Sequence, residues 1–554
     1  MFSACRPLLV FLVIFANAGV RSAAQVGAPS SAALVEGSVV NKVTGAPVRH
    51  AHVMYIKVSS ANSGPISTDT DSDGRFSITL EAGSYRLWVE RPGFARQAYG
   101  SHTPEGTGTV LNLSPGQQAR NVNLRIVPFG AIAGRVLDED GEPIQGAGIQ
   151  VLRFNFATGR RQLVPVTGAS SNDLGEYRAY NLPAGRYFLL VTPRGTPLSH
   201  PPETGTLLPE MQDPLAAVYY PGGLDFASAS PILLPEGGEV TDADFHLQRT
   251  PAVMVRGRVF SDEPVGGQLQ VVLAHNEGNV ASPINRSTAT VDPNTGRFEF
   301  HGIAPGSYLL VASQFRNGRA LGGRVPIEVN AETAQQNLSL NLTPAFDITG
   351  SVEIEGSSGA KVPGTTIRLA PAEGLALGSQ PSVRLGPDGG FRLSGVTPGV
   401  WDFTLGNLPE DLWVKAASFG DLDVLSGELN ISSGSRGPLR VVLAGNGAQV
   451  SGTVTQQGQP VSATVVLVPA AAELQGLAQM YRSTQTQGGA FMFRGVRPGS
   501  YKLFAFEEVE PFAWLDPEFL KPVESLGETI SVGEGERANR QLTPVPFDAL
   551  APGR

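Results

Sequence analysis

Asp73-Gly74-Arg75-Phe76, followed shortly by Ala82-Gly83-Ser84-Tyr85-Arg86-Leu87, reads as a turn, an aromatic strand, a glycine turn and a second aromatic strand. The pattern returns as Gly175-Glu176-Tyr177 with Pro183-Ala184-Gly185-Arg186-Tyr187, and as Thr295-Gly296-Arg297-Phe298 with Ala304-Pro305-Gly306-Ser307-Tyr308. It returns again as Asp388-Gly389-Gly390-Phe391 with Thr397-Pro398-Gly399-Val400-Trp401, and as Gly488-Gly489-Ala490-Phe491 with Arg497-Pro498-Gly499-Ser500-Tyr501. A spacing of about a hundred residues specifies whole domains in series, not a solenoid of small units. A single catalytic site would have to stand outside this repeated pattern.

Outward from the signature, each unit opens on a strand with a central glycine: Val35-Glu36-Gly37-Ser38-Val39, Ala133-Gly134-Arg135-Val136, Val255-Arg256-Gly257-Arg258-Val259, Ile348-Thr349-Gly350-Ser351-Val352 and Val450-Ser451-Gly452-Thr453-Val454. Alternating segments such as Ile149-Gln150-Val151-Leu152 and Val122-Asn123-Leu124-Arg125-Ile126 have the period of two expected of strands with one buried face. Tyr85, Leu87 and Val89 share such a face, as do Tyr187, Leu189 and Val191, and Tyr501, Leu503 and Ala505. Seven or so short strands per unit predict an all-β fold of five tandem Greek-key β-sandwiches. The expected domains are 33–128, 129–250 with a Pro-rich insertion at 192–218, 251–345, 346–446 and 447–546. Pro128, Pro251 and Pro344 leave short, stiff joints, which predicts an extended, semi-rigid string.

The run from Gly45-Ala46-Pro47-Val48 through Thr68-Asp69-Thr70-Asp71-Ser72-Asp73-Gly74-Arg75-Phe76 to Ala82-Gly83-Ser84-Tyr85 resembles carboxypeptidase regulatory-like domains. These are transthyretin-like, Ig-like sandwiches related to starch-binding-like and collagen-adhesin B-type modules. The resemblance extends over nearly all of the chain beyond the first two dozen residues and is weakest in the fourth unit. It implies a non-catalytic accessory fold of exported bacterial proteins, and it names no ligand.

Residues 1–24 read as an export signal: Arg6, an apolar run from Leu8 to Ala16, and small residues at Ser22-Ala23-Ala24 before Gln25, with an alternative cut after Ala18. The run is too short to span a bilayer, and no later transmembrane stretch is evident. The single cysteine, Cys5, would leave with the signal, so no disulfide is expected. The predicted location is periplasm, outer cell envelope or extracellular space. A net charge of −9 over 554 residues offers no basic footprint for nucleic acid or a membrane surface.

Chemistry-bearing motifs are few. His102-Thr103-Pro104-Glu105 and His200-Pro201-Pro202-Glu203 have the spacing of a zinc-binding pair but lie in Pro-rich segments with no catalytic domain to hold them. His50 and His52 would share a strand face without a third ligand. Asp69-Thr70-Asp71-Ser72-Asp73-Gly74 resembles the start of a calcium loop, but Leu80 stands where an EF-hand needs its bidentate Glu, and turn chemistry accounts for the acids. A Lys–Asn isopeptide lock, frequent in collagen-adhesin relatives, is impossible in the second and third units, since no Lys stands between Lys57 and Lys361; Lys42 or Lys502 could make one in their own units, but a general mechanism is excluded. No catalytic residues, metal or cofactor are therefore expected.

Aromatic planes that stack on pyranose rings are the remaining signal. Trp88 alternates out of phase with the core and should face outward. Tyr219 and Tyr220 precede a Pro-Gly-Gly turn, Trp413 lies in the fourth unit, and Phe512 and Trp514 sit in an acidic loop, Glu507 to Lys521. The same residues would equally serve to cap the sandwiches or pack between them, since outward Phe188, Leu190 and Phe504 make the outer faces apolar. The leading expectation is an exported binding or scaffold protein for surface polysaccharide. A structural spacer or protein-interaction module of the cell envelope is the alternative, and a metal-dependent hydrolase, requiring stoichiometric zinc, the third.

Overall fold

The computed structural model describes residues 32–550 except 59–63, 105, 107, 157–161, 194–214, 252, 263–267, 277–285, 293, 317–318, 331–334, 357–361, 363, 373–379, 426–427, 433–436 and 476. The expected signal at 1–24 and most of the 192–218 insertion lie outside the described residues.

The first unit contains β1 (Ala32–Asn41), β2 (His52–Lys57), β3 (Ile66–Asp69), β4 (Arg75–Glu81), β5 (Gly83–Glu90), the short β6 (Gln97–Ala98), β7 (Val110–Leu113) and β8 (Gln118–Ile126). One sheet has the order β4-β1-β8 and the other β3-β2-β5, with β6 and β7 both pairing β5. In β1 the chain runs antiparallel to β4 and parallel to β8. Its counterparts, Gly130–Leu137, Val253–Phe260, Phe346–Ile354 and Ala448–Gln456, pair in the same two senses. The all-β sandwich architecture is thus repeated, with a parallel pair inside each mixed sheet. In the third unit, strand Arg286–Val291 pairs with a strand of each sheet, joining them into one eight-stranded path.

Five apolar clusters fill the spaces between paired sheets, and the alternating residues named above are buried in them. The sequence signature has a steric origin. A Cβ on Gly37 would lie 1.9 Å from the Val122 carbonyl oxygen, and one on Gly452 would lie 1.8 Å from that of Arg540. Glycine here lets the last strand of the unit approach the first. The aromatic of the second glycine turn closes a corner: the hydroxyls of Tyr85, Tyr187, Tyr308 and Tyr501 and the indole N–H of Trp401 each donate to the carbonyl four residues upstream, at 2.7–3.1 Å. In this way a core ring satisfies its own polar atom.

Two expectations are corrected. His50 does not alternate with His52 along a strand: it lies in a turn with φ 54°, and His52 Nδ1 sits 2.6 Å from Asp69. Nor is the chain an extended string. Its fifth unit returns to the first, where Glu508 is bonded by residues 101–103, and to the second, where Arg153 lies 3.8 Å from Glu510 and Phe156 packs on the fifth unit.

Candidate functional site at the contact of the first and fifth units

Corresponding loops of two units meet here: the segment after β5, and the segment that follows strand Gly499–Phe506 in the fifth unit. Buried Gln97 organises the first loop by donating from Nε2 to the carbonyls of Ser101 (2.6 Å) and Thr103 (3.2 Å). That turn aims its donors at one carboxylate. Thr103 N–H donates to Glu508 Oε1 at 3.0 Å, and Ser101 Oγ lies 2.5 Å from the same oxygen. His102 N–H and the Thr103 hydroxyl also donate to Glu508, which is only 8% exposed. Such convergent donors form an anion nest, and a carboxylate accepting several of them is held strongly. Beside it, His102 Nε2 lies 3.5 Å from Glu507 Oε1, and its ring stacks on Phe547 at 6.0 Å.

Next to this latch is a cleft of about 620 Å³. The hydroxyls and amides of Ser101, Thr109, Ser462, Ser483 and Gln485 line it, with Trp514 at one side. The lining offers many neutral donors and acceptors, and Glu507 and Glu508 are its charged carboxylates.

The aromatics singled out from sequence are distributed differently from expectation. Trp514 is 7% exposed and packs with Phe504, Phe506, Leu520 and Val523 under the loop that covers the outer sheet. Tyr219 is fully buried against Leu152, Phe188 and Leu190, and Tyr220 packs edge-on to Phe245 at 5.8 Å. Trp413 is 5% exposed, between the fourth and fifth units. Trp413, Trp514 and Tyr219 take the capping and packing places that the sequence left as the alternative: apolar outer sheet faces draw these rings in as covers. Trp88 does face outward, half-buried, with the Arg96 guanidinium 4.5 Å over its ring and its Nε1–H donating to Glu90. Phe512 is 42% exposed, 5.9 Å from Trp514. Of the six, only Trp514 lines the cleft. Ser101, Thr103, Gln485 and Glu508 were missed; the signal available was the acidic run Glu507-Glu508-Val509-Glu510 in a chain with 16% charged residues.

Among the described residues no group of three or more His, Cys, Asp or Glu is placed to hold a metal ion. Glu105 and the His200–Glu203 pair lie outside the described residues. Asp71 Oδ1 accepts from the N–H groups of Asp73 (2.9 Å) and Arg75 (2.8 Å), as turn chemistry requires. Lys42 pairs with Glu236 across the first joint and Lys502 with Glu524, each with a carboxylate and not with an Asn. No helix among the described residues is long and apolar enough to cross a membrane.

Residues 35–126 match the family description of the carboxypeptidase regulatory-like domain. No curated protein matches the sequence. Similar solved structures include a streptococcal ancillary pilin (13% identity, 56% of this chain and 99% of that one, TM-score 0.20). Others are the shaft pilin SpaA of Lactobacillus rhamnosus GG (11%, 40% and 98%, TM-score 0.20) and hydroxyquinol 1,2-dioxygenase of Pseudomonas putida DLL-E4 (12%, 18% and 56%, TM-score 0.13). At these TM-scores none of them lends this chain a function. Residues 35–126 are thus similar to a carboxypeptidase regulatory-like domain, and the β-sandwich units that follow them repeat the same sequence signature.

Proposed function

We propose that this is an exported, non-catalytic binding protein, organised in the five domains delimited above, whose cleft between the first and fifth units takes a segment of surface polysaccharide. The observation that supports it is the cleft lining, hydroxyl and amide groups beside an indole, which suits a polyhydroxylated ligand. Hydrolysis is disfavoured by the carboxylates themselves. A glycosidase needs two free carboxyl groups about 5–9.5 Å apart. Glu508 is occupied by the 101–103 turn, and Glu507 accepts from Phe547 N–H at 3.3 Å.

The test is retardation of the purified chain in gels cast with a panel of soluble polysaccharides, beside Ser483→Trp, which fills the cleft from an exposed position. Retardation by one polysaccharide, lost in the variant, supports the reading. Retardation unchanged in the variant moves the site elsewhere. No retardation favours the spacer or protein-docking alternative, for which exposed Leu174, Tyr180 and Leu233 of the second unit offer apolar contact points, 56–60% exposed.

A further inference from the structure

A second cleft, of about 180 Å³, lies between the fourth and fifth units, lined by Trp413, Gln479, Met480, Arg482, Arg497 and Tyr501 among others. Its polar groups are poorly matched to one another. Arg482 reaches only two backbone carbonyls, Leu412 at 3.4 Å and Gly495 at 3.5 Å, both long for a guanidinium bond. Arg497 Nη1 lies 3.8 Å from the Met480 sulfur, and its guanidinium stands 6.0 Å from the Trp413 ring. Among the described residues neither arginine has a carboxylate within 4 Å; exposed Glu410 acts on Arg482 only through its field. The Trp413 indole N–H and the Gln479 Oε1 are buried without hydrogen-bond partners.

We propose that this cleft binds a small oxyanion group, a carboxylate or phosphate, held by Arg482 and Arg497 with the Trp413 indole N–H as a further donor. A buried guanidinium bonded only to two distant carbonyls, a second guanidinium lining the same cleft and a buried indole N–H without a partner leave donors that an oxyanion would satisfy. The guanidinium fork is the side chain best shaped for such a group. Burial already pulls Arg482 below its ordinary pKa, as expected of a cation bonded only to neutral carbonyls. Tyr501 lies within the field of both guanidiniums, so the charges converge on one wall of the cleft.

Binding calorimetry on the full chain, with sodium phosphate and separately with sodium glucuronate at fixed ionic strength, tests this. Saturable binding of either anion at one per chain is expected, weakened about tenfold or more in R482Q and R497Q. W413F, which keeps the ring and loses the N–H, should show a smaller loss. Tighter binding of glucuronate assigns the group to a carboxylate, such as an acidic sugar carries; tighter binding of phosphate assigns it to a phosphoryl group. Arg482 also braces two carbonyls, so R497Q alone decides if R482Q does not fold. Binding of neither anion at about 10 mM, or binding that R497Q leaves unchanged, overturns the proposal.

Discussion

Gly37 and Gly458 are both glycines, but for reasons that an experiment separates. At Gly37 a methyl group has nowhere to go, because the Val122 carbonyl and the Phe76 ring occupy its place. Gly458 has φ +78° and nothing within 4 Å of the place a Cβ would take, so only backbone strain opposes alanine. Gly37→Ala should therefore cost about 3 kcal/mol, at the upper end for forced overpacking, and Gly458→Ala about 1 kcal/mol, measured as shifts in urea midpoint. Equal costs would remove the steric account of the signature. His275, at the joint of the second and third units, carries a pH effect. Burial lowers its pKa from the ordinary 6.5, against the opposing pull of Asp225. The folded state then holds fewer protons than the unfolded one, so stability is complete above pH 6.5 and declines as pH falls toward the lowered folded value. Substituting His275 by Gln should flatten a plot of melting temperature against pH between about 5 and 7.

Strands and turns were legible in the sequence because their causes are local. Period-two alternation placed Tyr85, Leu87 and Val89 inward, and the asymmetric Gly-aromatic signature marked each turn. What covers a strand was not legible. Alternation correctly turned Phe504 away from the main core, but the side so exposed is buried too, beneath Trp514, Leu520 and Val523 from short helical turns. Nothing within strand Gly499–Phe506 announces that second layer, because its partners come from a loop without periodicity. The cleft was equally hidden, since its walls are some four hundred residues apart in sequence. Trp514→Ala should cost about 3–5 kcal/mol by opening this layer, read as a lowered denaturation midpoint with circular dichroism of the other units retained. An unchanged midpoint in Trp514→Ala would mean that the ring does not hold this layer together, leaving its place in the cleft wall as its role.

Across the whole molecule, one carboxylate joins parts of the chain that the repeat pattern places far apart. Replacing Glu508 by Ala removes the acceptor for the 101–103 donors and should release the first unit from the fifth. The expected outcome is a larger radius of gyration in solution scattering with unchanged secondary structure; an unchanged radius would show that the remaining contacts suffice. The parallel pairing of β1 with β8 has a mechanical side. A chain that enters a sandwich on one strand and leaves on its parallel neighbour departs at the opposite end, so tension on the termini slides the two strands along each other. Their ladder then resists in shear, many bonds at once, and does not unzip bond by bond. Pulled in a force spectrometer, the chain should first give a small extension as the Glu508 contact parts. High rupture peaks should follow, one per sandwich; low peaks throughout would mean that the parallel ladder does not carry the tension.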